Sequence, residues 1–376
     1  MPVAVAVVRE SAAGERRVAL TPETAKKLKS RGAAVVLERG AGASAYFADG
    51  AYVDCEAAPD ARAALTRADV LLKVQPPTLD EIAALKEGAI VIAQLQPHLA
   101  PERTRALRDR RITAFAMELL PRTTRAQAMD VLSSQAAVAG YKAVLIAAEA
   151  APKFFPMLTT AAGTIRPSKV LIVGAGVAGL QAIATARRLG AQVEGFDVRP
   201  ETKEQIESLG AKFLDLGVSA AGSGGYAREL TQEERDRQQQ ALAEQLKGFD
   251  VVITTAAVPG RKAPRIISAA MVAGMKPGAV IVDIAAETGG NVEITEAGKT
   301  VVSANGVSVI GTVNLPASAP VHASEMYARN LYNFLELSLK DGALNLDWND
   351  ELIAKTCVTH AGEIRNEAAK KLVEVI

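Results

Sequence analysis

One segment constrains the fold more than any other: VLIVGAGVAGLQAIATARRLGAQVEGFDVR, residues 170–199. A buried-strand pattern, KVLIV, leads into Gly174, Gly176 and Gly179, and a helical pattern follows them. In such a turn the first glycine permits the tight bend, the second lets the backbone approach a pyrophosphate, and the third lets helix and strand pack closely. The segment therefore predicts a βαβ unit with a dinucleotide at the helix N-terminus.

Asp197 ends the next strand pattern, VEGFD, eighteen residues after Gly179. We expect its carboxylate to accept both ribose hydroxyls of the adenosine and to repel a 2′-phosphate, which favours NAD(H) over NADP(H). Arg199 leaves an alternative open, since a basic residue beside that acid can receive a 2′-phosphate. FAD is a competing cofactor, although the glycines lie in the middle of the chain and not near its N-terminus.

Length and composition restrict the classes of protein to which the chain can belong. The 376 residues favour two domains, and 49% hydrophobic with 23% charged residues is typical of a soluble globular protein. A net charge of +1 with scattered Lys and Arg argues against nucleic-acid binding. The two cysteines lie far apart without a CxxC motif, so no disulfide framework or metal site is expected. The N-terminus has no signal-peptide pattern, and Lys142 and Glu149 interrupt the most apolar run, residues 136–152, so we expect no membrane-spanning helix.

Short β-branched runs alternate with helical patterns through both halves of the chain. This alternation predicts an α/β fold with two Rossmann-like domains, mostly parallel sheets, a cleft between them and long connecting helices. We expect the first domain to comprise residues 1–135 and 320–376, and the second to comprise residues 136–319. A long helix at about 125–152 should cross between them, a Gly-rich mobile loop should lie at about 217–238, and the tail after NLPASAP should be helical.

The presence or absence of a proton donor distinguishes two possible hydride-transfer reactions. Hydride transfer to a carbonyl needs a proton donor, whereas transfer between two nicotinamides moves no proton and needs only aligned rings and exclusion of water. The histidines are His98, His322 and His360. His98 is the candidate acid, and the other two are expected to be packing or surface residues. A site poor in acid and base groups would favour the second reaction.

Five blocks resemble one family over nearly the whole chain: ELLPRTTRAQAMDVLSSQAAVAGYKAV, the glycine-rich segment, GSGGYARE, VVITTAAVPGRKAP and DIAAETGGNVE. They are similar to the NAD(H)-binding component, domain I, of proton-translocating nicotinamide nucleotide transhydrogenase. The resemblance implies Re/Si-specific hydride transfer from NADH to NADP⁺ on a partner's NADP(H)-binding domain, coupled to proton movement through membrane-spanning subunits. It also implies a homodimer, with residues 136–152 and 320–340 as contact elements, on the cytoplasmic face of the inner membrane.

The same resemblance implies roles for individual residues. Arg122 would contact the pyrophosphate or nicotinamide side, Asp130 and Ser133 would hold the carboxamide, and Gln127 would bridge towards the second nucleotide. Helix capping is the alternative role for these polar side chains at a helix start. A mobile loop would close over NAD(H), and further residues would complete the cofactor shell; these are Gly225, Tyr226 and Gln238 in the loop, and Ala175, Val177, Val198, Arg199 and Ala257 in the shell.

Alanine dehydrogenase is the second family that the chain resembles, through RESAAGERRVALTP, KVQPP and DIAAETGG. That family binds its keto acid with an Arg and a Lys. Arg17 is retained, but Gln75 replaces the Lys and Glu287 replaces a family Asp. Without the ammonium group a small carboxylate loses its main positive partner, so the transhydrogenase component is preferred. An NAD-sensing module without catalysis is a third alternative.

Overall fold

The computed structural model describes residues 2–220, 228, 230–257 and 260–374. The chain forms two compact units, one of Met1–Gln135 with Pro316–Ile376 and one of Ala136–Leu315. The second boundary lies four residues before the expected one at 319/320. Each unit has its own sheet and its own hydrophobic core on both faces of that sheet.

The strands within the described residues are, in chain order, β1 (Ala4–Val7), β2 (Ala34–Glu38), β3 (Glu56–Ala58), β4 (Val70–Leu72), β5 (Ile90–Ala93), β6 (Thr113–Ala116), β7 (Leu158–Thr160), β8 (Gly163–Ile165), β9 (Lys169–Val173), β10 (Gln192–Phe196), β11 (Lys212–Phe213), β12 (Val251–Thr254), β13 (Val280–Asp283), β14 (Thr300–Val302), β15 (Ser308–Gly311), β16 (Leu339–Lys340), β17 (Ala343–Leu344), β18 (Cys357–His360) and β19 (Glu363–Ile364).

The α-helices are α1 (Pro22–Ser30), α2 (Ala61–Leu65), α3 (Leu79–Ala84), α4 (Pro101–Asp109), α5 (Val131–Ala150), α6 (Val177–Arg188), α7 (Thr202–Ser208), α8 (Gln232–Leu246), α9 (Ala269–Ala273), α10 (Pro320–Glu336), α11 (Glu351–Thr356) and α12 (Glu367–Glu374). Short 3₁₀ turns lie at Ala43–Ala45, Asp49–Ala51, Met117–Leu119, Thr124–Met129, Ala286–Thr288 and Leu315–Ser318.

The sheet of the first unit has the order β19-β18-β6-β5-β4-β1-β2-β3, and its strands from β1 to β6 are parallel. Successive side chains of a strand point to opposite faces. Val5 and Val7 accordingly join the core on one face, and Ala6 and Val8 join the core on the other. Burial on both faces explains the nearly continuous apolar runs in these strands.

The tail of the chain differs from the helical expectation. Strand β18 is antiparallel to β6 and β19 is antiparallel to β18, so the tail adds two strands to the first sheet. In the run CVTH, residues 357–360, Val358 and Thr359 are β-branched, and the first three residues are buried. A short run with such side chains fits a strand of a sheet better than a helix interior.

The sheet of the second unit has the order β11-β10-β9-β12-β13-β15-β14 and is parallel except for β14. Strand β9 pairs with β10 on one side and with β12 on the other, so the chain changes direction across the sheet at β9. Ligands of open α/β sheets bind at such a switch point, beside the carboxyl ends of the strands. Both sheets confirm the predicted α/β class with mostly parallel Rossmann-like sheets.

Helix α5 begins at Val131, because the residues before it, Thr124–Met129, form a 3₁₀ turn and not the predicted helical start at 125. The boundary between the two units falls inside α5. In length and composition this helix could cross a membrane, so the expectation that no segment would meet this criterion is wrong. Buried core helices meet the same criterion, and Ala143, Val144 and Ala147 of α5 lie in the core of the second unit.

Candidate nucleotide-binding site

Packing within the second unit requires two glycines of the predicted motif, whereas the remaining glycine faces open space. Gly174 has φ of +96°, and a Cβ there would lie 2.7 Å from Thr255 Oγ1. A Cβ on Gly179 would overlap the Gly174 carbonyl oxygen and stand 2.8 Å from its carbonyl carbon. A Cβ on Gly176 would meet no heavy atom within 4 Å. The first and third glycines therefore serve the protein's own packing, whereas the second leaves open space above its backbone.

Helix α6 begins directly at this open space. Gly176 is its N-cap residue and offers no side chain to the first amides of the helix, and Val177 beside it is 44% exposed. The positive end of a helix dipole and its unsatisfied N–H groups favour an anion. A dinucleotide pyrophosphate thus fits both the steric opening at Gly176 and the charge at this helix end.

Asp197 lies at the end of β10, next to the glycine turn, and is almost fully buried. Its Oδ2 accepts the Ala175 N–H at 2.7 Å. The Arg199 guanidinium pairs with both carboxylate oxygens, at 2.9 Å from Nε and 2.7 Å from Nη2. Burial raises the pKa of Asp197, but the bonds from Arg199 and Ala175 outweigh it and hold the pKa below its usual value. The ion pair is neutral overall, so Asp197 repels a 2′-phosphate less than an isolated carboxylate would.

Two residues outside the predicted set hold the loop beside this turn. Thr255, after β12, donates its hydroxyl to the Gly174 carbonyl at 3.0 Å. Asn291 bonds the backbone of Ala256 in both directions, and the Asp283 carboxylate accepts the Asn291 N–H at 2.8 Å. The signal in the sequence is the pair of glycines before Asn291, which permits the chain to turn back.

The remaining residues of the predicted cofactor shell lie near these elements. Ala257 is exposed on the loop that follows β12. Val198 is half-buried and comes directly after Asp197. Both residues therefore belong to segments that follow the carboxyl ends of β10 and β12, the two strands that flank β9 in the second sheet.

The predicted residues of segment 122–133 belong to the first unit. Asp130 precedes α5, and its carboxylate accepts the Ser133 N–H at 2.9 Å and the Ser133 hydroxyl at 2.6 Å. This geometry is an N-cap, the alternative role considered for these side chains. Arg122 and Gln127 are exposed. The structure therefore joins Asp130 to Ser133 and leaves the other two at the surface of their unit.

The expected mobile loop, at about 217–238, lies only partly within the described residues. Gly225 and Tyr226 lie outside the described residues. Gln238 lies within helix α8, where its side chain is buried, and the helix begins at Gln232. Positions 232–238 of the predicted loop are therefore helical, as the capping box formed by Thr231 and Glu234 favours.

A buried charge cluster lies in the first unit. The Arg17 guanidinium donates to both oxygens of Glu15, at 2.8 and 2.6 Å, and to Gln135 Oε1 at 2.9 Å. Gln75 Nε2 donates to Glu15 Oε2 at 2.7 Å. Burial raises the pKa of Glu15, but its bonds to Arg17 and Gln75 prevail and lower the pKa to about 2. Arg17 is thus neutralised by a carboxylate of its own chain.

Lys73, the strand-end lysine two residues before Gln75, is 1% exposed and pairs with Glu81 at 3.0 Å and Glu10 at 3.3 Å. Desolvation raises the pKa of Glu10 in spite of this neighbour. Together with Glu15 and Arg17, these residues place three carboxylates and two cations at one buried location. Its net charge does not favour an anionic substrate.

The three histidines differ in their exposure and in their contacts. His98 and His322 are exposed, and His360 lies on strand β18 with its Nδ1 3.0 Å from Thr113 Oγ1. Burial lowers the pKa of His360. Glu287 is exposed on a 3₁₀ turn. Among the residues that the structure describes, no group of three or more His, Cys, Asp or Glu could hold a metal ion.

A parallel sheet with a switch point at β9 and a glycine turn at a helix N-terminus define a dinucleotide-binding type of α/β protein. The chain belongs to the alanine dehydrogenase/PNT family: the N-terminal domain of that family matches residues 6–139, and its C-terminal domain matches residues 143–367. This result confirms the resemblance found in the sequence.

Individual relatives point in the same direction. A relative from Rhodospirillum rubrum, the first part of NAD(P) transhydrogenase subunit alpha, is 46% identical over 377 residues, covering 97% of this chain and 98% of the relative. A solved transhydrogenase from Sinorhizobium meliloti is 46% identical, with a TM-score of 0.87, over 96% of this chain and 99% of the other. A solved L-alanine dehydrogenase is 26% identical, with a TM-score of 0.81, over 99% of both chains. The relationship supports a transhydrogenase role and a nicotinamide nucleotide site.

Proposed function

We propose that this chain is the NAD(H)-binding component of a proton-translocating transhydrogenase. The observation that carries the proposal is the steric opening at Gly176 beside the start of α6, with Asp197 next to it. The bound nicotinamide supplies or accepts the hydride, and NADP(H) on a partner subunit is the other reactant. A membrane subunit couples the transfer to proton translocation.

The residues of this chain bind and orient the nucleotide. The backbone from Gly174 to Val177 holds the pyrophosphate, and Asp197 accepts the ribose hydroxyls in place of part of its present contacts with Arg199. Ala257 and Val198 contribute to the walls of the adenosine or nicotinamide pocket. In this reaction no group of the chain has to move a proton.

The segment from Arg122 to Ser133 is proposed to serve the nicotinamide end. Asp130 and Ser133 fix each other, and a paired carboxylate and hydroxyl are pre-organised to hold a carboxamide. Arg122 and Gln127 are exposed, so a nucleotide or a partner can reach them. Gly225, Tyr226 and Gln238 are proposed to contact NAD(H).

The buried cluster around Arg17 argues against the alanine dehydrogenase reaction. A keto acid needs a cation for its carboxylate, but Glu15 already neutralises Arg17, and the amide of Gln75 carries no charge. A carboxylate of a substrate would have to compete with Glu15 for Arg17. We therefore expect no reduction of pyruvate by this chain.

The assembly is proposed from the relatives. The Rhodospirillum rubrum relative is named as a piece of a subunit, which implies a larger complex, so partner subunits are expected here: a membrane-spanning subunit and an NADP(H)-binding domain. A homodimer with contacts from residues 136–152 and 320–340 would sit on the cytoplasmic face of the inner membrane. Domain limits of 1–135 with 320–376, and 136–319, complete this proposal.

The test combines the purified chain with the purified NADP(H)-binding domain of a family member. NADPH and an NAD⁺ analogue whose reduced form absorbs at a distinct wavelength are added, and reduction of the analogue is followed. Transfer should need both proteins, and the chain alone should neither transfer hydride nor oxidise NADH with pyruvate and ammonium. Absence of transfer at saturating concentrations of both proteins would reject the proposal, and oxidation of NADH by pyruvate would favour alanine dehydrogenase.

A further inference from the structure

The motif DIAAETGGN, residues 283–291, ends in a side chain that braces the loop after β12. Asn291 is fully buried, and its Nδ2 donates to the carbonyls of Ala256 at 2.7 Å and Pro264 at 2.9 Å. Its Oδ1 accepts the Ala256 N–H at 3.0 Å. The Asn291 carbonyl in turn accepts the N–H groups of residues 266 and 267. One residue therefore fixes the loop near its start and again at its end.

Asn291 is itself held from β13. The Asp283 carboxylate, fully buried, accepts the Asn291 N–H and the Thr295 hydroxyl at 2.8 and 2.7 Å. Gly290, with φ of +79°, lies so close to this carboxylate that a Cβ would stand 2.8 Å from Asp283 Oδ2. Backbone and hydroxyl donors thus hold the Asp283 carboxylate in place. Asp283 in turn fixes Asn291 before any ligand binds.

The braced loop meets the glycine turn. Thr255, one position before Ala256, donates to the Gly174 carbonyl, and the Ala256 nitrogen lies 3.2 Å from where a Gly174 Cβ would be. When a segment becomes ordered only as the ligand binds, the free-energy cost of ordering it lowers the affinity for the ligand. A segment that is ordered beforehand carries no such cost. The position of Ala256 therefore bears directly on the shape of the space beside Gly174.

We propose that Asn291 is a positioning residue for the nucleotide: it holds Ala256 in place beside the glycine turn before the nucleotide binds, and it also bonds the Pro264 carbonyl. The proposal rests on the proposed function, in that the nucleotide is taken to be NAD(H). Asn291 acts through the loop and not on the reacting atoms. Its loss should raise the concentration of NADH needed for binding and leave the rate at saturation nearly unchanged.

The test compares Asn291→Ala with a matched control, Asn305→Ala. Asn305 lies in the same unit and also braces a loop, since its Nδ2 donates to the carbonyls of residues 272, 273 and 275 at 3.2, 3.1 and 3.1 Å. Both variants lose bonds from a side-chain amide to backbone carbonyls, and Asn291→Ala should lower the unfolding temperature more, because Asn291 is fully buried whereas Asn305 is half-buried. Only Asn291→Ala should weaken NADH binding, by about 10- to 100-fold.

Three readouts decide the outcome. NADH titration gives Kd well below the unfolding temperature, and assays with the partner domain give KM and kcat, of which only KM should rise in Asn291→Ala. Equal NADH affinity in Asn291→Ala and wild type, or equal losses in both variants, would overturn the inference. Wild type that does not bind NADH would instead overturn the proposed function.

Hydrogen exchange on the wild-type chain tests the inference even where Asn291→Ala does not fold. The Ala256 amide, bonded to Asn291 Oδ1, should be protected before nucleotide is added. Free exchange of that amide without nucleotide, followed by protection on addition of NADH, would show that the ligand and not Asn291 orders the loop.

Discussion

Two alanine substitutions within three residues of each other should separate binding from folding. At Gly176 the backbone is extended, with φ of −78° and ψ of −169°, and a Cβ meets nothing within 4 Å. Gly176→Ala should leave the free energy of unfolding unchanged or raise it by about 0.4–1 kcal/mol, because alanine lowers the conformational entropy of the unfolded chain. The added methyl group fills the space proposed for the pyrophosphate. Loss of one or two charge-assisted bonds, about 1.5–3 kcal/mol each, raises Kd for NADH at least about tenfold.

Gly179→Ala should have the opposite effect. Its Cβ would stand 2.8 Å from the carbonyl carbon of Gly174 and overlap the attached oxygen, which is backbone and has no rotamer to change. Helix α6 would have to move away from β9, at a cost of about 3 kcal/mol or more. For a chain of this size each kcal/mol corresponds to roughly 2–4 °C, so the unfolding temperature should fall by about 6–12 °C.

The assay is thermal unfolding without nucleotide, followed by fluorescence titration with NADH at a temperature where all three proteins are folded. Gly176→Ala should be as stable as wild type and bind poorly. The reasoning is refuted if Gly176→Ala binds NADH with the wild-type Kd, since the pyrophosphate would then lie elsewhere. It is also refuted if Gly179→Ala unfolds at the wild-type temperature.

Three further substitutions test other contacts. Asp197→Asn should weaken NADH binding about tenfold and strengthen NADPH binding, because the ribose loses a charged acceptor and Arg199 loses its anionic partner; titration with both nucleotides measures the ratio, and an unchanged ratio contradicts the prediction. The lowered pKa of Glu15, about 2 against 4.5, means that its stabilisation is complete above pH 4.5 and lost as the pH falls towards 2. Urea unfolding should show about 3 kcal/mol of this loss in wild type and not in Glu15→Gln. Gly140→Ala should lower the unfolding temperature, because its Cβ would stand 2.9 Å from the Ala178 carbonyl carbon, whereas an equally stable variant would show that α5 can shift away from α6.

The features of the fold that could be predicted follow from local chemistry. Strands such as KVLIV are apolar and β-branched throughout because they are covered on both faces, and this pattern is visible without knowledge of the neighbours. The glycines at 174 and 179 were predictable because the positive φ of Gly174 and the close approach of Gly179 to the Gly174 carbonyl both arise within six residues of chain. For the same reason, the fold class and the position of the glycine turn could be predicted from the sequence.

The hydrogen-bond partners of side chains could be predicted from the sequence much less well. The sequence indicates Arg199 as an alternative phosphate site, but its pairing with Asp197 depends on the conformation just after β10. Asn291 contacts Ala256, thirty-five residues away, and no local pattern reports such a bond. The helical prediction for residues 357–360 is wrong because strand β18 pairs with β6, more than 240 positions away. In the last two cases the deciding contact is distant in sequence.

The two units differ in whether their positive charge is already paired with an anion of the same chain. This difference bears on the choice between the transhydrogenase and the alanine dehydrogenase reactions. In the second unit, a Cβ on Gly176 at the start of α6 would meet no heavy atom of the described residues within 4 Å, which leaves space for an external anion there. In the first unit, a carboxylate from the same chain already holds Arg17, and a tethered group competes at a high effective concentration. A keto acid would have to displace Glu15 and leave it buried without its cation, a loss of about 3–5 kcal/mol when one partner of a buried pair is removed. Binding of a small carboxylate at millimolar affinity corresponds to about 4 kcal/mol, so it would only offset that loss. The electrostatics therefore favour a chain that accepts a dinucleotide and excludes the second substrate of a dehydrogenase.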